Sequence, residues 1–223
     1  MIDVKTDSTG NKFRAARVEE LCNLIESYVS RKGECRIVDL GGTTKFWNTW
    51  RDRFPWDQMQ VTCLNPQESF ISGNENLRNI DFRVGDARHL PDISDKSYDI
   101  AFSNSVIEHV GMWRDMSAMA SEVSRIATSY YVQTPYYWFP IEPHARTPFI
   151  HWVPDSLAYR SVMWRKTGFW GKQATVDGAV RAVQSAKLVD QRQFSELFPD
   201  AKIRKERFYG WVKSLIAVRH APS

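Results

Sequence analysis

Hydrophobic and polar positions follow two different periods along this chain. Val18, Leu21, Cys22, Ile25, Tyr28 and Val29 recur at three- and four-residue spacing, which predicts an amphipathic helix over roughly residues 12–30, ended by Lys32-Gly33. The run Arg36-Ile37-Val38-Asp39-Leu40 is β-branched and breaks at Gly41-Gly42, so it predicts a buried strand whose carboxyl end turns tightly into a helix. That helix runs from about Lys45 towards Phe54 and is stopped by Pro55. Met59 to Leu64 predicts a second strand closed by Asn65-Pro66, and residues 68–80, with Ser69, Ser72, Gly73, Asn74 and Asn76, predict a loop or a short irregular helix. A third strand covers Phe82 to Ala87 and a fourth covers Tyr98 to Ser105. Trp113 to Thr128 is a helix with Trp113, Met116, Met119, Ala120, Val123 and Ile126 along one side, and Tyr130 to Thr134 is a fifth strand closed by Pro135.

Strands alternating with helices predict βαβ units, a parallel sheet and an α/β fold. The order changes after Pro135. Residues 136–170 are rich in Pro, Trp, Tyr and His, and an irregular segment of that length inside a compact domain is usually functional. Gln193 to Phe198 predicts a short helix, and Lys202–Phe208 and Trp211–Val218, separated by Tyr209-Gly210, predict an antiparallel hairpin at the sheet edge. The whole of 1–223 is expected to be one domain: a core over 12–135, a substrate-recognition insertion over 136–192, and a terminal helix and hairpin over 193–223.

With 223 residues and 43% hydrophobic composition the chain can bury one sizeable core. Met1-Ile2-Asp3-Val4-Lys5 has no apolar signal core, and no apolar run approaches the roughly 18 residues of a membrane span, so a cytoplasmic protein is expected. Cys22, Cys35 and Cys63 are spaced too widely for a zinc knuckle or a redox pair and are expected to be buried thiols; the absence of CxxxCxxC argues against an iron–sulfur radical enzyme. The net charge of +4 and pI near 9.0 favour anionic ligands, but the basic residues are scattered, and a nucleic-acid partner is not the main expectation.

The turn after Asp39 has a chemical use. Glycine lets backbone come close to a ligand, and the first amides of the next helix favour negative or polar groups. Asn65 ends the second strand a little over twenty residues on, where dinucleotide-type sites place a group that binds ribose hydroxyls; Asp86 ends the third strand and Asn104 the fourth. Four polar strand ends on one sheet edge point to a nucleotide-like cofactor.

Gly85-Asp86-Ala87-Arg88-His89-Leu90-Pro91, followed by Ser97-Tyr98-Asp99-Ile100-Ala101-Phe102-Ser103-Asn104-Ser105-Val106-Ile107-Glu108-His109-Val110, resembles the third and fourth motif regions of class I S-adenosylmethionine-dependent methyltransferases of the small-molecule branch. The resemblance covers roughly residues 36–135, and the terminal hairpin matches that family's last two strands. It implies a Rossmann-like seven-stranded sheet in the order 3-2-1-4-5-7-6, the last strand antiparallel and helices on both faces, with S-adenosyl-L-methionine as cofactor. Carried over by position, Asp39, Gly41, Gly42 and Thr43 line its methionine and ribose part, Asn65 holds the ribose hydroxyls, Asp86 and Ala87 hold adenine, and Asn104 lies beside the methionine moiety. The family turn usually reads Asp-x-Gly-x-Gly-x-Gly; here Thr43 and Lys45 stand at the later glycine positions, which implies a reshaped or narrowed turn.

A sulfonium is already activated, so methyl transfer needs alignment of an acceptor and, for a hydroxyl, removal of a proton. Histidine suits that role. His144 is the first candidate for the base and His151 the second, with Glu142 orienting either; this resembles the stretch that builds the acceptor side in related bacterial methyltransferases. Glu142, His144 and His151 have no recognised metal-ligand spacing, and no metal is expected. His109, after Glu108, reads as a structural residue at a helix start. Tyr136, Tyr137, Trp138, Phe139, Phe149, Trp152, Trp164, Phe169 and Trp170 form either a stacking surface for sugars or a satellite core, and Arg146, Arg160, Arg165 and Lys166 among them suit an anionic acceptor. Ser103-Asn104-Ser105-Val106 stands where amino-directed nucleic-acid methyltransferases carry Asp/Asn-Pro-Pro-aromatic, and there is no Pro-Cys nucleophile. The expected function is methyl transfer to an oxygen of a small molecule or glycan. The alternatives are an N- or O-methyltransferase of a secondary metabolite and a catalytically silent binding subunit.

Overall fold

The computed structural model describes residues 8–67 and 78–221, so most of the expected loop at 68–80 lies outside the described residues. Helix α1 (Ser8–Lys32) turns Val18, Leu21, Cys22, Ile25 and Tyr28 inward. It stops where Gly33 adopts φ +81° and donates its N–H to the Val29 carbonyl at 2.8 Å, with Arg31 and Lys32 in the last turn where the helix dipole favours cations.

Four strands follow. They are β1 (Cys35–Leu40), β2 (Met59–Asn65), β3 (Ile80–Val84) and β4 (Tyr98–Asn104). β1 pairs in parallel with β2 on one side and β4 on the other, and β2 pairs in parallel with β3. From Ile37 to Leu40 every residue of β1 is buried, the signature of a strand covered on both faces. Because all four strands run the same way, Leu40, Asn65, Val84 and Asn104 finish on one edge of the sheet.

Helix α3 (Trp113–Ile126) leads into β5 (Ala127–Pro135), and the chain closes with α6 (Gln191–Leu197), β8 (Lys202–Phe208) and β9 (Trp211–Arg219). The sheet order is β3-β2-β1-β4-β5-β9-β8, the expected Rossmann-like arrangement with antiparallel carboxyl-terminal strands. Tyr209 and Gly210 turn the final hairpin with φ of 46° and 85°. Edge strand β8 carries Lys202, Arg204, Lys205 and Arg207, charges that discourage edge-to-edge pairing with another sheet.

Three elements differ from the sequence expectation. β3 ends at Val84 rather than Ala87, because Asp86 turns back to Arg88 and His89 and cannot continue the strand. Helix α2 spans only Thr44–Thr49 and is followed by a 3-10 turn at Arg51–Arg53, short of the expected Phe54. Its buried Trp47 gathers Phe54 at 5.0 Å, Trp56 at 6.0 Å and Phe102 at 6.1 Å between ring centres, and the chain must fold back early to bring Phe54 and Trp56 there. The segment after β5 is also not irregular. It holds the small hairpin β6 (Ile141–Glu142) and β7 (Thr147–Pro148), then α4 (Asp155–Trp164) and α5 (Val176–Gln184).

Contacts divide the chain into two compact units. The first runs up to Asn104 and adds Ser121–Val132 and the end from Val218; the second consists of Ser105–Ala120 and Gln133–Ala217. In the first unit a buried Asp99 accepts from Lys32 Nζ at 2.5 Å and from the Arg36 amide at 2.8 Å, and Tyr28 hydroxyl meets Ser129 hydroxyl at 2.7 Å. The three cysteines are buried free thiols, with burial pushing Cys22 to about 11 and Cys35 to about 12. In the second unit α4 packs on α5 through Ala158, Val162, Ala179 and Val183, with Ala145 and Ile150 completing that core. Among the described residues no helix is long and apolar enough to cross a membrane.

Candidate active site

The turn after β1 is built around two glycines with different constraints. Gly41 takes φ +80°, a left-handed backbone disfavoured for other residues, and donates its N–H to the Leu64 carbonyl at 2.7 Å. Gly42 has no room for a side chain, since a Cβ there would stand 2.3 Å from Asp39 Oδ2. Its carbonyl accepts from Asn65 Nδ2 at 2.7 Å, which ties the turn to the end of β2. Asp39 is almost wholly buried and accepts from Trp47 Nε1 at 2.8 Å. Burial pushes its pKa up to about 7 even though the Trp47 bond works the other way.

Thr43 caps α2 with φ −128° and ψ 147°, extended backbone that suits a β-branched residue, and Lys45 is already helical. The later glycines of the family turn are therefore not needed for backbone shape here. Beyond β3, Asp86 accepts from the Arg88 amide at 3.0 Å and from Arg88 Nη2 at 2.6 Å, closing a turn that contains Ala87. The Arg88 side chain holds the Asp86 carboxyl below its ordinary value. At the end of β4, Asn104 Oδ1 accepts from Arg17 Nη1 at 3.0 Å.

The second unit holds a cluster of carboxylates and imidazoles. Glu142 is buried in β6; its Oε1 accepts from His144 Nδ1 at 2.7 Å and its Oε2 from the Ala145 amide. A carboxylate can only accept, so His144 carries its proton on Nδ1 and presents the Nε2 lone pair. The His144 backbone is braced from outside. Phe169 donates its N–H to the His144 carbonyl at 2.7 Å, and Gly168, at φ +58°, packs so tightly that a Cβ would lie 2.4 Å from that oxygen.

His109 crosses His144 edge to face with ring centres 4.7 Å apart, and His109 Nδ1 donates to the Ser185 carbonyl at 2.8 Å. Glu108 is 1% exposed; Oε2 accepts from Thr134 Oγ1 at 3.0 Å, while Oε1 has no hydrogen-bond partner among the described residues. Burial raises the Glu108 pKa against the opposing influence of His109. Burial works to lower that of His144, but the Glu142 hydrogen bond and the nearby carboxylates outweigh it and leave the imidazole raised.

The methyltransferase-domain family model matches residues 38–129, the stretch that contains the glycine turn and all four strand ends. Residues 38–129 form a class I S-adenosylmethionine-dependent methyltransferase domain. An uncharacterized protein of Mycobacterium tuberculosis is 41% identical over 56 residues, 25% of this chain, and the match spans 19% of that relative, about a fifth of its length. Two of the solved structures that share the fold are methyltransferases. Magnesium protoporphyrin IX methyltransferase of Synechocystis is 12% identical with a TM-score of 0.51, covering 97% of this chain and 90% of that one. Phosphoethanolamine N-methyltransferase 2 of Haemonchus contortus is 14% identical with a TM-score of 0.51, covering 82% of this chain and 38% of that one.

The cofactor of this methyltransferase domain is S-adenosylmethionine. The chain's own residues fit such a group: Gly41 and Gly42 give a close backbone approach, and Asn65, Asp86, Ala87 and Asn104 share their edge. All four polar side chains also have internal partners that sequence reasoning missed: Asp39 meets Trp47, Asn65 meets Gly42, Asp86 meets Arg88 and Asn104 meets Arg17. Of the acceptor-side candidates, Glu142 and His144 form a pair, whereas His151 Nε2 donates to the Tyr137 carbonyl at 2.8 Å and burial lowers its pKa. Glu108 and His109 join the cluster, which sequence reasoning did not foresee. Their signal was an acid and a histidine directly after the polar end of β4.

The aromatic group divides. The satellite core is aliphatic, with Trp170 packed against it. Trp138, Phe149 and Trp152 instead expose about half, half and a third of their surface, with ring centres 5.8 Å apart for Trp138 and Trp152 and 5.0 Å for Phe149 and Trp152. Arg146 lies over Phe169 at 4.5 Å, and Arg165 over Trp164 at 5.7 Å.

Proposed function

We propose that this chain is a methyltransferase that moves the methyl group of S-adenosylmethionine to an oxygen of a small-molecule or saccharide acceptor. Asp39, Gly41, Gly42, Thr43, Asn65, Asp86, Ala87 and Asn104 take the cofactor, and residues 136–192 recognise the acceptor. The observation that carries the oxygen assignment is the Glu142–His144 pair, an imidazole fixed at Nδ1 by a buried carboxylate with its other nitrogen able to take a proton. Bound S-adenosylmethionine would supply an activated methyl group and keep the sulfur as S-adenosylhomocysteine. His144 Nε2 would take the proton that the acceptor hydroxyl gives up. Glu142 stabilises the imidazolium, and His151 serves as a brace for Tyr137 and a secondary candidate for the base.

The saccharide preference rests on the exposed Trp138, Phe149 and Trp152 faces. Phe149 is held at φ +61°, a strained conformation for a bulky residue, and such strain concentrates where side chains are presented for function. Arg146, at φ 48°, and Arg160, Arg165 and Lys166 of the same segment suit an anionic acceptor.

The test is incubation with methyl-labelled cofactor and separate pools of saccharides, phosphosaccharides and amines. Label in an alkali-stable ether of a saccharide is expected, with His144→Ala lowering turnover about 100-fold or more while leaving S-adenosylhomocysteine affinity unchanged. Label in the amine pool alone would replace oxygen by nitrogen. Failure to bind S-adenosylhomocysteine would favour a binding subunit.

A further inference from the structure

We infer that Glu108, His109 and His144 form a binding site for a divalent first-row transition ion of the zinc type. One ligand atom from each residue, a Glu108 oxygen and a ring nitrogen of each histidine, lies within 4.8 Å of the others. Ligand atoms around a tetrahedral zinc stand about 3.3 Å apart. The required closure is therefore about 1.5 Å at most.

Three independent features point to a cation. First, both imidazoles spend Nδ1 as a donor, His144 to the buried Glu142 carboxylate and His109 to the Ser185 carbonyl, so each presents Nε2 as a neutral ligand. A carboxylate or carbonyl behind the imidazole is the arrangement that orients metal-binding histidines. Second, Glu108 Oε1 is buried and lacks a hydrogen-bond partner among the described residues. Buried polar atoms are nearly always partnered, and a buried carboxylate is costly unless a positive charge meets it. Third, the ligands are two imidazoles and one carboxylate, a set that selects zinc, cobalt, iron or nickel over magnesium or calcium and leaves at least one coordination position for water or a ligand.

Glu142 takes a different part and is not a ligand. It holds the His144 ring from behind, and His151 is engaged with Tyr137. The site goes beyond the methyl-transfer reading and does not depend on it. His144 Nε2 can hold an ion or a proton but not both, so its service as a base belongs to the metal-free protein.

Binding can be read without turnover, which keeps the failure of one reading distinct from failure of the other. Full-length, tag-free, chelator-treated protein is titrated with Co2+ while its visible ligand-field absorption is followed. One equivalent is expected to bind and to be displaced by Zn2+. His109→Ala, a change at an exposed ring that leaves the fold intact by circular dichroism, should weaken binding at least tenfold, as should His144→Ala. Glu142→Gln, acting through His144, should weaken it about 10- to 100-fold. His220→Ala, an exposed histidine elsewhere, should titrate like the parent. Absence of a Co2+ spectrum in the parent, an unaltered titration of His109→Ala, or a loss of binding in His220→Ala would each overturn the site.

Discussion

Gly42 and Thr43 are neighbours with opposite tolerances, and the difference separates a glycine that is needed from one that is merely usual. A methyl group at Gly42 would collide with the Asp39 carboxylate, which cannot retreat while it accepts from Trp47. Gly42→Ala should therefore cost about 1–3 kcal/mol in denaturant unfolding and weaken S-adenosylhomocysteine at least tenfold by calorimetry. Thr43→Gly should leave affinity within about twofold and cost no more than about 1 kcal/mol, because extended backbone makes no demand for glycine. Asp39 itself carries a pH signature. Its folded pKa of about 7 lies above the ordinary 3.8, so the folded protein holds the proton more tightly than the unfolded chain. That contribution is complete below about pH 4 and is lost as pH rises through about 7. Asp39→Asn, which can still accept from Trp47, should gain on the parent across this window by on the order of 3 kcal/mol. A constant difference from pH 4 to 8 would refute the shift. Asp39 and the two glycines were legible in the sequence, but the Trp47 bond was not, because it depends on where α2 ends.

At the level of elements, β1, β2 and β4 were readable because each is a largely apolar, buried run closed by glycine, proline or a polar residue, whereas β3, with Asp81 and Arg83 and no buried residue, was placed too far along the chain. The insertion was harder. α5 has a Thr175 cap that accepts from the Gly178 amide at 3.1 Å and an inward Ala179–Val183 pair, but both are small signals among conspicuous prolines and aromatics. The same is true of the brace behind His144. Gly168 has φ +58° and abuts the His144 carbonyl and the Ala145 backbone, so any side chain there pushes the strand-like turn that carries the imidazole. Gly168→Ala should lower turnover tenfold or more while S-adenosylhomocysteine affinity is retained. Equal turnover would mean that this loop does not position His144. The exposed rings make a separate demand. Trp152→Ala should raise the acceptor KM up to about tenfold, since an aromatic contact contributes roughly 0.5–1.5 kcal/mol, and should also lower Tm, because the ring is about two-thirds buried and donates from Nε1 to the Tyr137 carbonyl. A KM unchanged for every saccharide tested would remove the platform from recognition.

Across the molecule, the sheet order follows from parallel pairing around a central β1 that is covered on both faces, and this placed four polar strand ends together before any side-chain contact was known. The His109–His144 pairing was illegible for the opposite reason: the two residues are 35 positions apart and meet only through the path of the second unit. The two halves of the proposed activity can therefore be separated by stability alone. A ligand at about 100 times its dissociation constant adds roughly 2.7 kcal/mol to a folded protein, and for a chain of this size that corresponds to about 5–10 °C in Tm. S-adenosylhomocysteine should produce this shift in the parent and equally in His144→Ala, because that substitution leaves the glycine turn, Asn65 and Asp86 untouched. Gly42→Ala should show a much smaller shift at the same ligand concentration. No shift in the parent would remove cofactor binding and leave the fold as a scaffold, whereas a shift lost in His144→Ala would mean that the imidazole acts through the cofactor site rather than on the acceptor.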